Sequence, residues 1–450
     1  MMLLQAVPQF GPATLRGSLL MWWLPFLLTA LLLIGYNLRA GAAPWIRRAF
    51  LGVVALSIAG FGGLVVARAA HNVIAPPEWD IQAFWIYARV AVDGGNFYEP
   101  ADIHRVAAPL QHEAIPLSSS PVFTREALDA GFLYPPPTML LVGPIGFLSL
   151  RAASFAWYLL LGTALVACIL VLRRTFFPDG GWVELATVTA LVLLFRPTYL
   201  TFAFGQTSFL TLLALIAFWR TRDRPLSGVF LALGMFVKPI IAFFVLYPLL
   251  RRNWRALASA AATSGVLSVI AVLLFGPQVC LTYFTSNPIE RAPTWLYTLH
   301  ENQSLLSAML RLAHYDGVHG APLLYPPFLI AAALIVGLTM WAALRLPRDR
   351  GELALALMVP AALLIYPQSL DHYAMLMLVP LFYLWTQRAQ LGLTTGFTIA
   401  LLTVEYGIIR YNLGAIETLA TGLLWLFLLA LALRPVRIRA AEPLLQPTLG

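Results

Sequence analysis

The chain has 450 residues, 60% of them hydrophobic and only 11% Asp, Glu, Lys or Arg, with a mean hydropathy of +0.80. Ordinary soluble domains carry about 25% charged residues, so this composition excludes an aqueous globular enzyme and requires lipid as the main solvent. The net charge of +9 (29 basic minus 20 acidic) sits in short arginine clusters between apolar runs, a pattern of membrane loops rather than of a nucleic-acid surface.

Apolar segments recur at 17–35, 49–67, 136–150, 153–172, 182–199, 204–219, 226–250, 256–275, 322–344, 352–366, 374–387, 391–409 and 412–433. Several are shorter than the roughly 20 residues of a simple span, so about 12 to 14 membrane segments are expected, some of them half-helices lining an internal cavity. The first run is too long for the apolar core of a cleavable signal and reads as a retained membrane segment. Cys168 lies inside one run and Cys280 follows another, which predicts neither a disulfide nor a metal-ligand spacing. The chain divides into an additional N-terminal segment and loop (1–48), a membrane domain (49–433) and a cytoplasmic tail (434–450).

Orientation follows from arginine. Clusters at Arg39/Arg47/Arg48, Arg173/Arg174, Arg220/Arg222/Arg224, Arg251/Arg252/Arg255, Arg345/Arg348/Arg350 and Arg434/Arg437/Arg439 belong inside. The two long polar connections, 68–135 and 276–321, then lie outside. Basic clusters flank 226–250 on both sides, so that stretch must enter and return, and Lys238-Pro239 is where proline would break it. Within the first outer loop, Ile81, Phe84, Trp85, Ala88 and Val92 share a helical face that ends at Gly94-Gly95, predicting an amphipathic helix along the membrane interface.

Three sites carry chemistry. Asp80 opens that helix, and it can cap it, act as a general base at headgroup depth, or do both. Lys238 is the sole lysine, inside an apolar stretch; it either snorkels or pairs structurally, or it binds an anion such as a lipid phosphate. Asp371-His372, between two late segments, is either a cap beside an interfacial histidine or a pair that orients a substrate. Asn302-Gln303-Ser304 and Gly205-Gln206 add uncharged hydrogen-bonding groups. Tyr134-Pro135-Pro136-Pro137 forces an extended approach to the next segment and reads as structural.

Taken in order, the motifs resemble one family. Asp80 with Trp85, Tyr87, Ala88, Arg89, Gly94, Gly95 and Tyr98 is followed by Tyr134-Pro135-Pro136, Gly205-Gln206 and Leu233-Gly234…Val237-Lys238-Pro239, then by Leu249–Arg255, Asn302-Gln303-Ser304 and Asp371-His372. This series, across about 50–430, is similar to glycosyltransferase family 87, the polyprenyl-phosphate-mannose-dependent mannosyltransferases. The resemblance implies an all-α polytopic membrane protein of the glycosyltransferase C type, with outer-loop helices roofing a site that faces the periplasm of a bacterial inner membrane. It implies Asp80 as catalytic base, Lys238 and Arg89 as ligands of the donor phosphate, and Tyr87, Gln206, Asn302, Gln303, Asp371 and His372 as substrate-binding residues. The adjacent tyrosine pair often seen in that helix is Ile86-Tyr87 here, and the first apolar segment is extra to the family core.

The expected partners are a polyprenyl-phosphate sugar and a glycolipid, glycan or protein acceptor, within membrane lipid and without cofactor, metal or nucleic acid. A lipid phosphate already leaves well, so one base suffices where glycoside hydrolysis usually needs two carboxylates. The rival readings are a transporter or flippase of lipid-linked sugars, equally at ease with broken helices, and an envelope scaffold, which leaves Asp80 and Lys238 unexplained.

Overall fold

The computed structural model describes residues 12–74, 80–112, 128–285, 292–315, 322–411 and 415–434. In chain order its helices are α1 (Pro12–Leu38), α2 (Pro44–Ile74), α3 (Asp80–Val92), α4 (Pro100–His112), α5 (Leu150–Phe176), α6 (Trp182–Leu194), α7 (Arg196–Phe204), α8 (Ser208–Thr221) and α9 (Leu226–Val237). They continue with α10 (Trp254–Phe275), α11 (Pro277–Thr285), α12 (Thr294–Thr298), α13 (Leu305–Leu312), α14 (Pro326–Arg345), α15 (Gly351–Ile365), α16 (Leu378–Gln387), α17 (Thr395–Tyr411) and α18 (Ala415–Leu433). The proline-rich stretches Pro136–Phe147 and Pro239–Leu250 wind as short turns of helix, because proline lacks the N–H that a continuous helix needs.

Among the described residues, five helices are long and apolar enough to cross a membrane: α2, α5, α10, α14 and α18. A sixth crossing arises if α6 and α7, bent by 61° at Phe195, count as one broken span. The segments expected from the sequence therefore divide into full spans, one bent pair and short helices, and some of the latter lie wholly inside the protein. In α15 the described side chains from Gly351 to Leu364 are nearly all buried, so this helix is lined by protein and need not match the lipid thickness.

Arginine gathers at one end of the bundle. Arg39 Nη2 is 2.5 Å from Glu184 Oε1, Arg222 Nη2 is 3.2 Å from Glu352 Oε1, and Arg251 Nη1 donates to the Leu346 carbonyl at 2.7 Å. Asn253 Nδ2 donates to the Arg222 carbonyl at 3.2 Å, so the two ends of 226–250 meet and the chain does reverse at Lys238, whose backbone is extended (φ −150°, ψ 122°). The opposite end of α2 leads to Asp80, about 45 Å away for 31 residues at 1.5 Å each.

Here the expectation for α3 needs correcting. Ile81, Phe84 and Ala88 are buried in protein, not laid on lipid, and so are Ile86, Tyr87 and Val90. Gly146 allows this: a Cβ there would run into the Ala88 carbonyl, so only glycine lets the Pro136–Phe147 turn seat directly against α3. Trp85 Nε1 fastens the contact by donating to the Leu148 carbonyl at 3.0 Å.

Two apolar clusters hold the fold. The larger runs through the helix bundle and includes Ile81, Trp157, Phe209, Ile241, Met375 and Leu428. A smaller one, built on Ala292, Tyr297, Leu306, Leu310 and Phe328, lies under the second outer loop.

Candidate active site

A cleft of about 140 Å³ opens where α3 meets the outer loops. Asp80, Ala83, Phe84 and Tyr87 line it from α3, Phe132 to Tyr134 from the proline-rich approach, Gln206 from the α7–α8 turn, Pro293, Trp295 and Leu296 from the second long connection, and Gln368, His372 and Tyr373 from the late loop.

Asp80 is half-buried at this cleft, and its Oδ2 accepts a 2.6 Å hydrogen bond from Gln206 Nε2. The bond described at its carboxylate thus comes from across the fold, not from a backbone N–H of its own helix. Burial raises its pKa to about 6, against the opposing pull of the Gln206 bond and the Lys238 charge. Gly205 sets Gln206 in place. It adopts φ +73°, which L side chains rarely reach, and a Cβ would lie 2.9 Å from Ile81 Cβ. Its carbonyl is held by Trp157 Nε1 at 2.7 Å.

Lys238 lies behind the cleft. It is 1% exposed, its Nζ sits 3.6 Å from the centroid of the Tyr373 ring, and it has no hydrogen-bond partner among the described residues. An ammonium buried without a hydrogen-bonding partner is costly. It sits at the reversal itself, between the end of α9 and the turn that Pro239 opens.

Asp371 and His372 divide their tasks. His372 lines the cleft, and its buried Nε2 has no hydrogen-bond partner among the described residues. Asp371 turns away: Oδ2 is 3.4 Å from Arg196 Nη2, and Oδ1 is 3.9 Å from His372 Nδ1. Arg196 is a residue the sequence reading missed, absorbed into the run 182–199. The bend after Phe195 brings it to Asp371, so that a guanidinium offsets the carboxylate charge beside His372.

The other expected residues separate clearly. Tyr87 lies seven residues from Asp80, close to two turns, and shares its face; its ring packs 5.4 Å from that of Phe132. Arg89 lies nine residues on, two and a half turns, and so points to the opposite face. It pairs with Asp93 at 3.0 Å and donates to the Gly146 carbonyl. It does not line the cleft, so the geometry gives no support to a phosphate ligand there. Asn302 and Gln303 are buried behind the cleft wall. Asn302 Nδ2 donates to the carbonyls of Leu296 and Pro367 at 3.0 and 2.8 Å, and the Gln303 N–H donates to the Ser369 carbonyl at 2.8 Å. They stitch the second long connection to the late loop, and neither lines the cleft. Tyr134, read as structural, is itself a lining residue, and Trp295 is another that no motif marked.

A model of glycosyltransferase family 87 matches residues 132–367, a stretch of 236 residues and just over half the chain. The chain belongs to glycosyltransferase family 87. The match contains Gln206, Lys238 and Asn302-Gln303, and it stops short of Asp80 on one side and Asp371-His372 on the other. Among curated relatives, a polyprenol-phosphate-mannose-dependent alpha-(1-2)-phosphatidylinositol mannoside mannosyltransferase of Mycolicibacterium smegmatis is 27% identical over 75% of this chain and 76% of its own. The protein of that description from Mycobacterium tuberculosis is 27% identical over 62% and 67%. An alpha-(1->3)-arabinofuranosyltransferase of M. tuberculosis is 30% identical over 38% and 44%. No solved structure matches.

This family 87 protein is therefore a multi-pass membrane glycosyltransferase, and membership sets the transporter and scaffold readings aside. Its histidine and arginine make separable predictions. His372→Ala is expected to lower sugar transfer at least about tenfold, or ~1.4 kcal/mol of barrier. Arg196→Gln should lower kcat by a similar factor with little change in acceptor KM, and Arg196→Lys should restore part of it. Initial rates of the purified variants decide this: a His372→Ala rate within about twofold of wild type would leave the pair without a role in transfer.

Proposed function

We propose that the protein moves mannose from polyprenyl-phosphate mannose to a hydroxyl of a glycolipid, on the periplasmic side of a bacterial inner membrane, by one inverting displacement. The observation that carries this reading is one half-buried carboxylate, Asp80, lining a cleft next to the end of a membrane span, with one buried ammonium, Lys238, set behind that cleft against its Tyr373 wall, close enough to act on the Asp80 charge and without a hydrogen-bond partner among the described residues. The relatives' dependence on polyprenol-phosphate mannose, and their phosphatidylinositol mannoside substrates, support the sugar and the acceptor class.

In this mechanism the acceptor oxygen attacks the anomeric carbon and its proton passes to Asp80. The bond from that carbon to the phosphate oxygen breaks, and the electron pair leaves with the polyprenyl phosphate. Lys238 meets the charge that grows on the leaving oxygen, in a dry site where a fixed cation is worth far more than in water. His372 Nε2 is free to hydrogen-bond a sugar or phosphate oxygen. The reaction is proposed to run without a metal ion, with the leaving group served by Lys238. Gln206 keeps one Asp80 oxygen engaged and leaves the other for the acceptor.

The test is transfer of label from polyprenyl-phosphate [14C]mannose to phosphatidylinositol mannoside by purified protein in liposomes, followed against pH. Label should appear in the lipid product. Because a protonated Asp80 cannot accept a proton, kcat/KM should fall as pH drops through about 6. Transfer from a pentose donor alone would reassign the sugar. A rate that stays flat down to about 4, where an unperturbed aspartate titrates, would remove Asp80 as the base.

A further inference from the structure

A second cavity, of about 360 Å³, opens at the arginine-rich end, between the α1–α2 turn and the start of α6. Arg39, Arg47, Phe50, Leu51 and Trp182 contribute to its walls. It has two chemically distinct halves. On the polar side Arg39 is engaged by protein: it donates to the Tyr36 carbonyl at 2.5 Å, meets Glu184 and stacks over the Tyr36 ring at 3.5 Å. That arrangement fixes the wall and neutralises one charge.

Arg47 differs. Its Nε donates to the Arg39 carbonyl at 3.1 Å, and its terminal nitrogens have no protein partner among the described residues. Neighbouring Arg48 is exposed and forms no ion pair among them. On the apolar side are Phe50, Leu51 and Trp182, the last 66% exposed, with Trp45 close by in sequence at 70%. Indoles so exposed at a helix end are typical of the membrane–water boundary. Unmatched guanidinium nitrogens beside an apolar, tryptophan-edged wall suit a phosphodiester with its glycerol and upper acyl chains. Basic pockets between membrane helices on the arginine-rich side take acidic headgroups in this way.

We propose that this cavity is a binding site for one anionic phospholipid of the leaflet at the arginine-rich end, with its phosphate on Arg47. The site is separate from the sugar-transfer cleft, since the 31 residues of α2 lie between them. Its arginines and Phe50 and Leu51 precede the span that matches the family model, while Trp182 falls within it, so the site gives α1 and the α1–α2 turn a task of their own: tying the end of the bundle to acidic lipid.

The experiment is native mass spectrometry of the full-length protein released from micelles doped with equal amounts of phosphatidylglycerol and phosphatidylcholine. The wild type should retain one phosphatidylglycerol in preference. Arg47→Gln should reduce that adduct about fivefold, the worth of one basic residue near an anionic surface. Arg255→Gln, an exposed arginine elsewhere at the same end, should leave it unchanged, and both variants should keep wild-type transfer activity. Equal retention of the two lipids, or equal loss in both variants, would overturn the site. Displacement of the adduct by millimolar inorganic phosphate would replace the lipid with a free anion as occupant and overturn the proposal as well.

Discussion

Asp80→Asn should reduce sugar transfer by about a hundredfold to ten-thousandfold while the protein stays folded in the membrane. Asparagine has nearly the same shape, can still accept from Gln206 Nε2 through its side-chain oxygen, and is as good at a helix start as aspartate. What it lacks is basicity. The substitution therefore separates a carboxylate that positions α3 from one that takes a proton. Donor binding should change little, because the lipid phosphate is assigned to Lys238. Measuring kcat and the donor KM of the purified variant decides the matter: a rate close to wild type would return Asp80 to a purely architectural role.

Lys238→Met should have the second largest effect, and its signature is a split between activity and stability. Methionine retains most of the lysine's length and packs against the Tyr373 ring that now lies 3.6 Å from Nζ. Loss of the cation is expected to lower transfer by about a hundredfold to a thousandfold, as when one preorganised donor to a developing negative charge is removed. Stability should move the other way. The ammonium is 1% exposed and makes no hydrogen bond among the described residues, so its removal relieves a desolvation cost and Tm should hold or rise. A structural lysine would behave oppositely, with Tm and activity falling together. Normal donor kinetics in this variant would take Lys238 out of the site.

Lys238 stood out in the sequence because a charge in an apolar stretch is conspicuous whatever surrounds it, and Asp80 because a carboxylate opens the helical pattern that follows an early span. Gly205-Gln206 was legible as a polar break, though not its reason, which is a left-handed turn pressed against Ile81. Arg89 shows the limit of reading by motif. It shares a helix and a signature with Asp80, yet nine residues of helical rotation carry it to the other side. Arg196 shows a different limit. One basic residue in an apolar run looks like noise until a 61° bend, invisible to periodicity, delivers it to Asp371.

Asn302 and Gln303 were recognised as polar, but whether a buried amide faces substrate or backbone depends on which loop lies beside it, 65 residues away in the case of Pro367. Trp295 escaped notice because aromatic residues at membrane boundaries are common, and Tyr134 was noticed only as part of a stiff proline-rich approach. The α3 helix was assigned its length and its apolar face from the pattern. Only Gly146, more than fifty positions later, decides that protein and not lipid covers that face.

The two apolar clusters divide the cleft in a way that bears on how such enzymes diversify. Asp80, Gln206, Lys238 and His372 are carried by elements of the large bundle cluster, whereas the wall from Pro293 to Leu296 rests on the small one around Tyr297, Leu306 and Phe328. The chemistry and the opposing wall are thus mounted on separate foundations. Changes in the second outer loop can reshape what the cleft admits without disturbing the proton acceptor or the cation, so a family could trade one acceptor for another by remodelling a single satellite while inheriting its reactive centre intact.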